Sequence, residues 1–195
     1  MVVKKLDLGE KKDITRKDES VKRALNFGCG EQIITKGYKW NPLDRFWHGI
    51  VEENYKWDNM DMLDFGNIKW DLNVFPYPIE DNTYDYINAS FILEHLIDLS
   101  KVLKELVRIS KPGAFIYIKV PHWHSYSAYM NIEHIHSFHR LAFDDLHLQF
   151  PVKVIEVEDY PSIAGRFVPF RKFFSNYIGG LIRYINAKFQ VIKSK

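Results

Sequence analysis

A chain of 195 residues can bury one sizeable core and is short for two domains. Hydrophobic residues at 46% and charged residues at 27% exclude a disordered or fibrous protein, and a net charge of +2 gives no whole-molecule field that selects nucleic acid. A single cysteine excludes an internal disulfide and a cysteine-based zinc site; with no apolar leader and no run near the roughly 18 residues of a membrane span, a cytoplasmic location is expected.

Residues 1–22 read as a charged leader, and 23–195 as a single domain. Lys5-Leu6-Asp7-Leu8-Gly9 imitates a strand entering a glycine turn, but a second glycine is missing. The first strand is expected over Ala24–Phe27, running into Gly28-Cys29-Gly30, a pair of glycines that lets backbone approach a ligand at a strand-to-helix turn. Residues 31–56, with Gly37, Pro42 and several aromatics, suggest a short helix and an aromatic loop. Trp57–Met62 reads as a strand ending on a carboxylate, and Ile68–Leu72 alternates with Asp71 near its end.

Asn73–Asn82, with Pro76, Pro78 and Asp81-Asn82, is loop. Tyr84–Ala89 alternates as a strand and leads to Ser90-Phe91-Ile92-Leu93-Glu94-His95. Asp98 or Ser100 caps a helix with apolar Leu99, Val102, Leu103, Leu106 and Val107, stopped by Lys111-Pro112-Gly113. Ala114–Val120, broken only by Lys119, reads as a strand covered on both faces. After Pro121 comes a loop with His122, His124, His134 and His136, then a short helix over Leu141–Leu148 and a strand over Val152–Val157.

Phe167–Ile185 has aromatics and aliphatics at helical spacing, interrupted by Gly179-Gly180, and Phe189–Ile192 reads as a last edge strand. No acidic residue follows Asp159, whereas seven positive charges do. The alternation of strands and helices predicts an α/β sandwich with a mainly parallel sheet.

In order and spacing, these pieces resemble a class I S-adenosylmethionine-dependent methyltransferase of the small-molecule, type 11-like branch, from about Ala24 to Phe143. Leu25-Asn26-Phe27-Gly28-Cys29-Gly30 is similar to the family's first motif. Asp61 and Asp71 match the acids that close its second and third strands, and Asp71-Leu72-Asn73 with Phe75-Pro76-Tyr77-Pro78 matches a phrase of that branch. Leu93-Glu94-His95-Leu96, Lys111-Pro112-Gly113 and Val120-Pro121-His122 follow in the expected places.

The resemblance implies a three-layer, Rossmann-like, mainly parallel seven-stranded sheet with an antiparallel edge strand, and S-adenosylmethionine as cofactor. It implies cofactor contacts from Asn26, Gly28, Cys29, Gly30, Asp61, Asp71, Leu72, Ser90, Glu94 and His95. The glycines would admit the methionine part near a helix N-terminus, Asp61 would accept from the ribose hydroxyls, and Asp71 from the adenine amino group. Asp61 lies farther from the glycine turn than the family's spacing, so Glu52 and Glu53 stay open as the ribose acid. Residues 40–55 then form an insertion.

Cys29 is expected to pack rather than react, and Glu94-His95 to shape the pocket. His122 and His134 are the candidate proton-transfer residues, since imidazole titrates near neutral pH. The histidine spacings are of a kind metal sites use, yet the resembling branch keeps them without a metal, and none is expected. Residues 161–188 are a candidate lid before the last strand, and 167–185 a candidate membrane-surface contact or core segment. The expected function is methyl transfer to an oxygen or nitrogen of a small-molecule, sugar or lipid-linked acceptor. The rivals are a non-catalytic cofactor-binding protein of the same fold and a metal-dependent hydrolase using the histidine loop. Nucleic acid is disfavoured, because no Asn/Asp-Pro-Pro-Tyr motif follows Asn88.

Overall fold

A computed structural model describes residues 21–34 and 55–193. The leader, nearly all of the 40–55 insertion, and Glu52 and Glu53 therefore lie outside the described residues. Strand β1 covers Lys22–Phe27, β2 Tyr55–Asp61, β3 Ile68–Lys69 and β4 Tyr84–Ser90. Helix α1 spans Leu99–Ile109, β5 Ser110–Pro121, α2 Leu141–Asp144, β6 Val152–Pro161, α3 Arg171–Phe174 and β7 Ile182–Val191. The seven strands form one sheet in the order β3-β2-β1-β4-β5-β7-β6. Strands β1 to β5 run parallel, β7 runs antiparallel to β5, and the edge strand β6 pairs antiparallel with β7.

Successive side chains on a strand point to opposite faces, and here the faces differ in chemistry. Leu25 and Phe27 of β1, Met60 of β2, Ile87 of β4 and Ile116 and Ile118 of β5 join Val102 and Leu106 of α1 and Phe143 of α2 in the main core. Each fully buried aliphatic there contributes roughly 1.5–3 kcal/mol. The opposite face holds a smaller cluster of Ala24, Ile34, Trp57, Tyr86 and Tyr117.

Asp98 caps α1 by accepting from the Lys101 backbone N–H, and the helix ends where the Ser110 backbone N–H reaches the Leu106 and Val107 carbonyls. Arg108 then pins the 71–82 loop to the helix, donating to Glu105, Asp81 and the carbonyls of Tyr77 and Ile79. The loop's place beside β3 and α1 is thereby set.

Several elements differ from the sequence pattern. Among the described residues α1 is the one helix longer than four residues, and the connections from β5 to β6 and from β6 to β7 carry only the short helices α2 and α3. Strand β3 stops at Lys69, leaving Asp71 two residues past its end. Lys111-Pro112-Gly113 does not precede β5 but lies within its N-terminal end, where the pairing with β4 shifts register and Gly113 takes φ +82°. The helix expected over Phe167–Ile185 is a single turn, α3. Phe170 enters it in a left-handed conformation and Ser175 ends it; Gly180 takes a second left-handed conformation just before β7 begins at Ile182. Phe189–Val191 thus belongs to an interior strand.

Candidate functional site

Asparagine disfavours strand interiors, yet three stand side by side in this sheet. Asn26 is in register with Asn59 on β2 and with Asn88 on β4. The Asn26 amide donates to Asn59 Oδ1 at 3.0 Å and to the Gln32 carbonyl at 2.7 Å, and its oxygen accepts from Asn88 Nδ2 at 3.0 Å. Asn59 closes the row by exchanging two hydrogen bonds with the backbone of Ile34. The three side chains are buried and bonded in a row, so the ladder fixes the register of β2, β1 and β4. Both Asn26 amide hydrogens are committed to it, and a direct contact of that amide with a ligand is not what the geometry offers.

Two residues farther along the same face lie Asp61, Gly28 and Ser90, with Lys119 in register with Ser90. All stand at the C-terminal ends of parallel strands, where open α/β sheets bind ligands. Gly28 has φ +69°, and a Cβ there would fall 2.2 Å from Ile92 Cγ1, so only glycine fits. The N–H groups of Gly28 and Cys29 both donate to the Met60 carbonyl. Gly30, φ +48°, faces open space, and its N–H donates to Asp61 Oδ2 at 2.8 Å. Asp61 also accepts from the Leu63 N–H through Oδ1. An ionised carboxylate offers about four lone-pair sites, so it keeps acceptor capacity.

Cys29 is buried, and burial with the nearby charge of Asp61 pushes its thiol up to about 11. It stays protonated and packs. Asp71 is exposed and caps its own turn by accepting from the Asn73 N–H, while buried Leu72 presents its carbonyl to the Tyr77 hydroxyl. The Ser90 hydroxyl is buried without a hydrogen-bond partner, as is Asn88 Oδ1.

Beyond Ser90, Phe91 turns the chain with φ +55°, and a short 3-10 turn presents Glu94 and His95. A cavity of about 470 Å³ opens here, walled by Phe91, Glu94, His95, Lys119, His134 and Arg183, with Met130 and Tyr184 at its rim. Lys119 lies 4.3 Å from the Tyr184 ring centroid and 5.0 Å from that of Phe91, a cationic wall stabilised by aromatic faces. Glu94 is 1% exposed, and burial pushes its carboxyl up to about 7. His95 stands edge-on to His134, ring centroids 4.7 Å apart. Burial, then the neighbouring His134, lowers its pKa.

The two candidate histidines of the loop go to different places. His134 lines the cavity, and its Nδ1–H donates to the Ala128 carbonyl at 3.2 Å, which leaves Nε2 available. His122 is 2% exposed, and the His124 N–H donates to its Nδ1 at 3.3 Å. Burial, then His139 and His124, pull its pKa down to about 4, so it is neutral at pH 7. Its backbone ties the end of β5 to Arg183 and to Phe138.

The sequence pattern missed Phe91, Lys119, Arg183 and Tyr184 as cavity residues and missed the ladder. Lys119 was the one visible signal, a lysine interrupting an apolar strand. For the ladder the signal was an asparagine in each of three strands; the shared register appears only once the strands pair.

A family model described as a methyltransferase domain matches residues 7–156. An uncharacterised methyltransferase of Schizosaccharomyces pombe is 30% identical over 112 residues, and a demethylmenaquinone methyltransferase of Bacillus pumilus 43% over 44. These alignments cover 50% and 23% of this chain, and the chain spans only 39% and 19% of the length of those relatives. A solved S-adenosylmethionine-dependent methyltransferase from Archaeoglobus fulgidus superposes with a TM-score of 0.59 at 17% identity, covering 87% of this chain and 86% of that one. It shows the same Rossmann-like fold.

Proposed function

The chain belongs to the methyltransferase-domain family, and we propose that it transfers the methyl group of S-adenosylmethionine to an oxygen or nitrogen of a small-molecule, sugar or lipid-linked acceptor. The observation that carries this reading is the row Asp61, Gly28 and Ser90 at the ends of three parallel strands, set in register by the asparagine ladder beneath. When bound, the cofactor supplies a methyl group activated on a sulfonium, and its departure leaves S-adenosylhomocysteine.

The residues present fit that group. Gly30 leaves open the space a side chain would fill. Asp61, anchored by two backbone N–H groups, keeps lone pairs for the ribose hydroxyls. The unpartnered Ser90 hydroxyl accepts from the methionine amine, and Asp71 with Leu72 borders the base. Asn26 and Cys29 hold the shape of the turn rather than contact the ligand with their side chains.

On the acceptor side, His134 meets the nucleophilic group and His122 positions the loop that carries it. The polar end of the acceptor enters the cavity between Lys119 and Arg183. An apolar part runs over Phe167, Phe170, Phe173 and Tyr177, which are exposed just before the cavity residues Arg183 and Tyr184. No described helix is long and apolar enough to cross a membrane, so this segment would contact a lipid surface from one side.

Calorimetric titration with the cofactor and with S-adenosylhomocysteine tests the reading. Wild type is expected to bind both, and Asp61→Ala to weaken both by tenfold or more, the effect of losing roughly 1.4 kcal/mol or more of contact. Failure of wild type to bind either would defeat it. Cofactor binding with no turnover across an acceptor screen using labelled methyl would instead mark a non-catalytic binding protein.

A further inference from the structure

We propose that Glu94, His95 and His134 form a divalent-cation site, matched to Zn²⁺, in the wall of the acceptor cavity. The site itself stands on the residues alone; its use in methyl transfer rests on the function proposed above.

Four observations converge. One ligand atom from each of the three residues lies within 4.8 Å of the other two. A cation among atoms so placed is no more than about 2.8 Å from each, and movements of less than about 1 Å bring all three to the 2.0–2.2 Å that Zn²⁺ makes with imidazole and carboxylate. Second, Glu94 Oε2 is buried and makes no hydrogen bond, to either imidazole or to anything else; a buried carboxylate oxygen without a donor needs a partner. Third, one nitrogen of the His134 imidazole is already held by a backbone carbonyl, that of Ala128. Such outer contacts orient metal-binding histidines and leave the other nitrogen for the ion. Fourth, the Glu94 carbonyl accepts from the N–H groups of both Ile135 and His136, so the segment bearing His134 is pinned against the turn bearing Glu94 and His95.

Two imidazoles and one carboxylate are the ligand set of catalytic zinc sites that keep a fourth position open. Glu94, His95 and His134 line the same cavity as Lys119 and Arg183, from which an acceptor would reach that position. An acceptor hydroxyl bound there releases its proton to bulk water near neutral pH, because the cation stabilises the oxyanion. Its oxygen then forms the bond to the methyl carbon while the carbon–sulfur bond breaks and its electron pair stays on sulfur. His134 thus acts through the cation rather than as a free base.

The test uses the full chain, stripped by chelator, dialysed and titrated with Zn²⁺, with metal content measured by elemental analysis and geometry by the visible spectrum after Co²⁺ replacement. One equivalent is expected in wild type. Glu94→Gln, His95→Ala and His134→Ala should each weaken binding by about 100-fold or more and abolish the four-coordinate Co²⁺ spectrum, whereas His147→Ala, at an exposed histidine elsewhere, changes neither. Circular dichroism checks that the variants fold, and if none does, the wild-type stoichiometry and Co²⁺ spectrum decide. Wild type that takes up no zinc, or ligand variants that keep one equivalent, overturns the site. Cofactor titrations on the same samples separate the two readings. Cofactor binding without metal sinks the cation site alone, and metal binding without cofactor sinks only its role in methyl transfer.

Discussion

The two faces of the sheet are made from the same strands, yet they do different work. Leu25, Met60, Ile87 and Ile118 turn to α1 and form a fully apolar core. One residue away on each strand, Asn26, Asn59, Asn88 and Lys119 turn to the other side. The first face needs only volume and water exclusion, and it tolerates exchange of one aliphatic for another. The second depends on register, since a slip of one strand by one residue would unpair every asparagine and carry Asp61, Gly28 and Ser90 out of line. The apolar core thus lies on one face and the proposed ligand site on the other, separated by the period of two.

This division can be broken deliberately. The largest effect is expected from Leu25→Ala, fully buried on the apolar face, which should cost about 2–5 kcal/mol of unfolding free energy while the folded fraction keeps its cofactor affinity. Equal losses in stability and affinity would show that the faces are not separable.

His122, at the junction of β5 and the histidine loop, should impose a pH dependence of up to about 3 kcal/mol. Folded, it takes its proton only near pH 4; unfolded, near 6.5. Its contribution is therefore present above 6.5 and is lost as pH falls through 4. Urea unfolding from pH 4 to 7 should show that slope in wild type, and the difference from His122→Asn isolates it; identical slopes would contradict the buried neutral ring.

Next comes Asn26→Ala, expected to cost about 2 kcal/mol through the stranded Asn88 amide and Gln32 carbonyl. Unlike Leu25→Ala, it should also weaken the cofactor roughly tenfold by loosening the register, a factor worth about 1.4 kcal/mol. An unchanged dissociation constant would make the ladder a stability feature only. The smallest effect on stability belongs to Phe170→Ser on the exposed 162–181 segment, within about 0.5 kcal/mol. Its readout is co-sedimentation with anionic vesicles, which the substitution should reduce; undiminished sedimentation would place the lipid contact elsewhere.

Much of this was legible in the chain. The glycine turn, Asp61 at the end of β2, the Asp98 cap and the apolar stripe of α1 are local: each depends on residues a few positions apart and on backbone preferences that act within one turn or one strand. Even so, helical spacing of aromatics over 167–185 predicts more helix than the single turn α3, because spacing carries no information about Phe170 and Gly180 taking left-handed conformations.

By itself, then, the sequence determined the family, the place of the glycine turn and the strands that carry Asn26, Asp61 and Ser90. Only the tertiary structure paired Asn26 with Asn59 and Asn88, sent His122 into the interior while bringing His134 to the cavity, and set Glu94, His95 and His134 within reach of one ion. Each of these joins residues far apart in the chain, and such contacts are chosen by the register of the whole sheet and by what burial leaves unsatisfied, neither of which a local pattern contains.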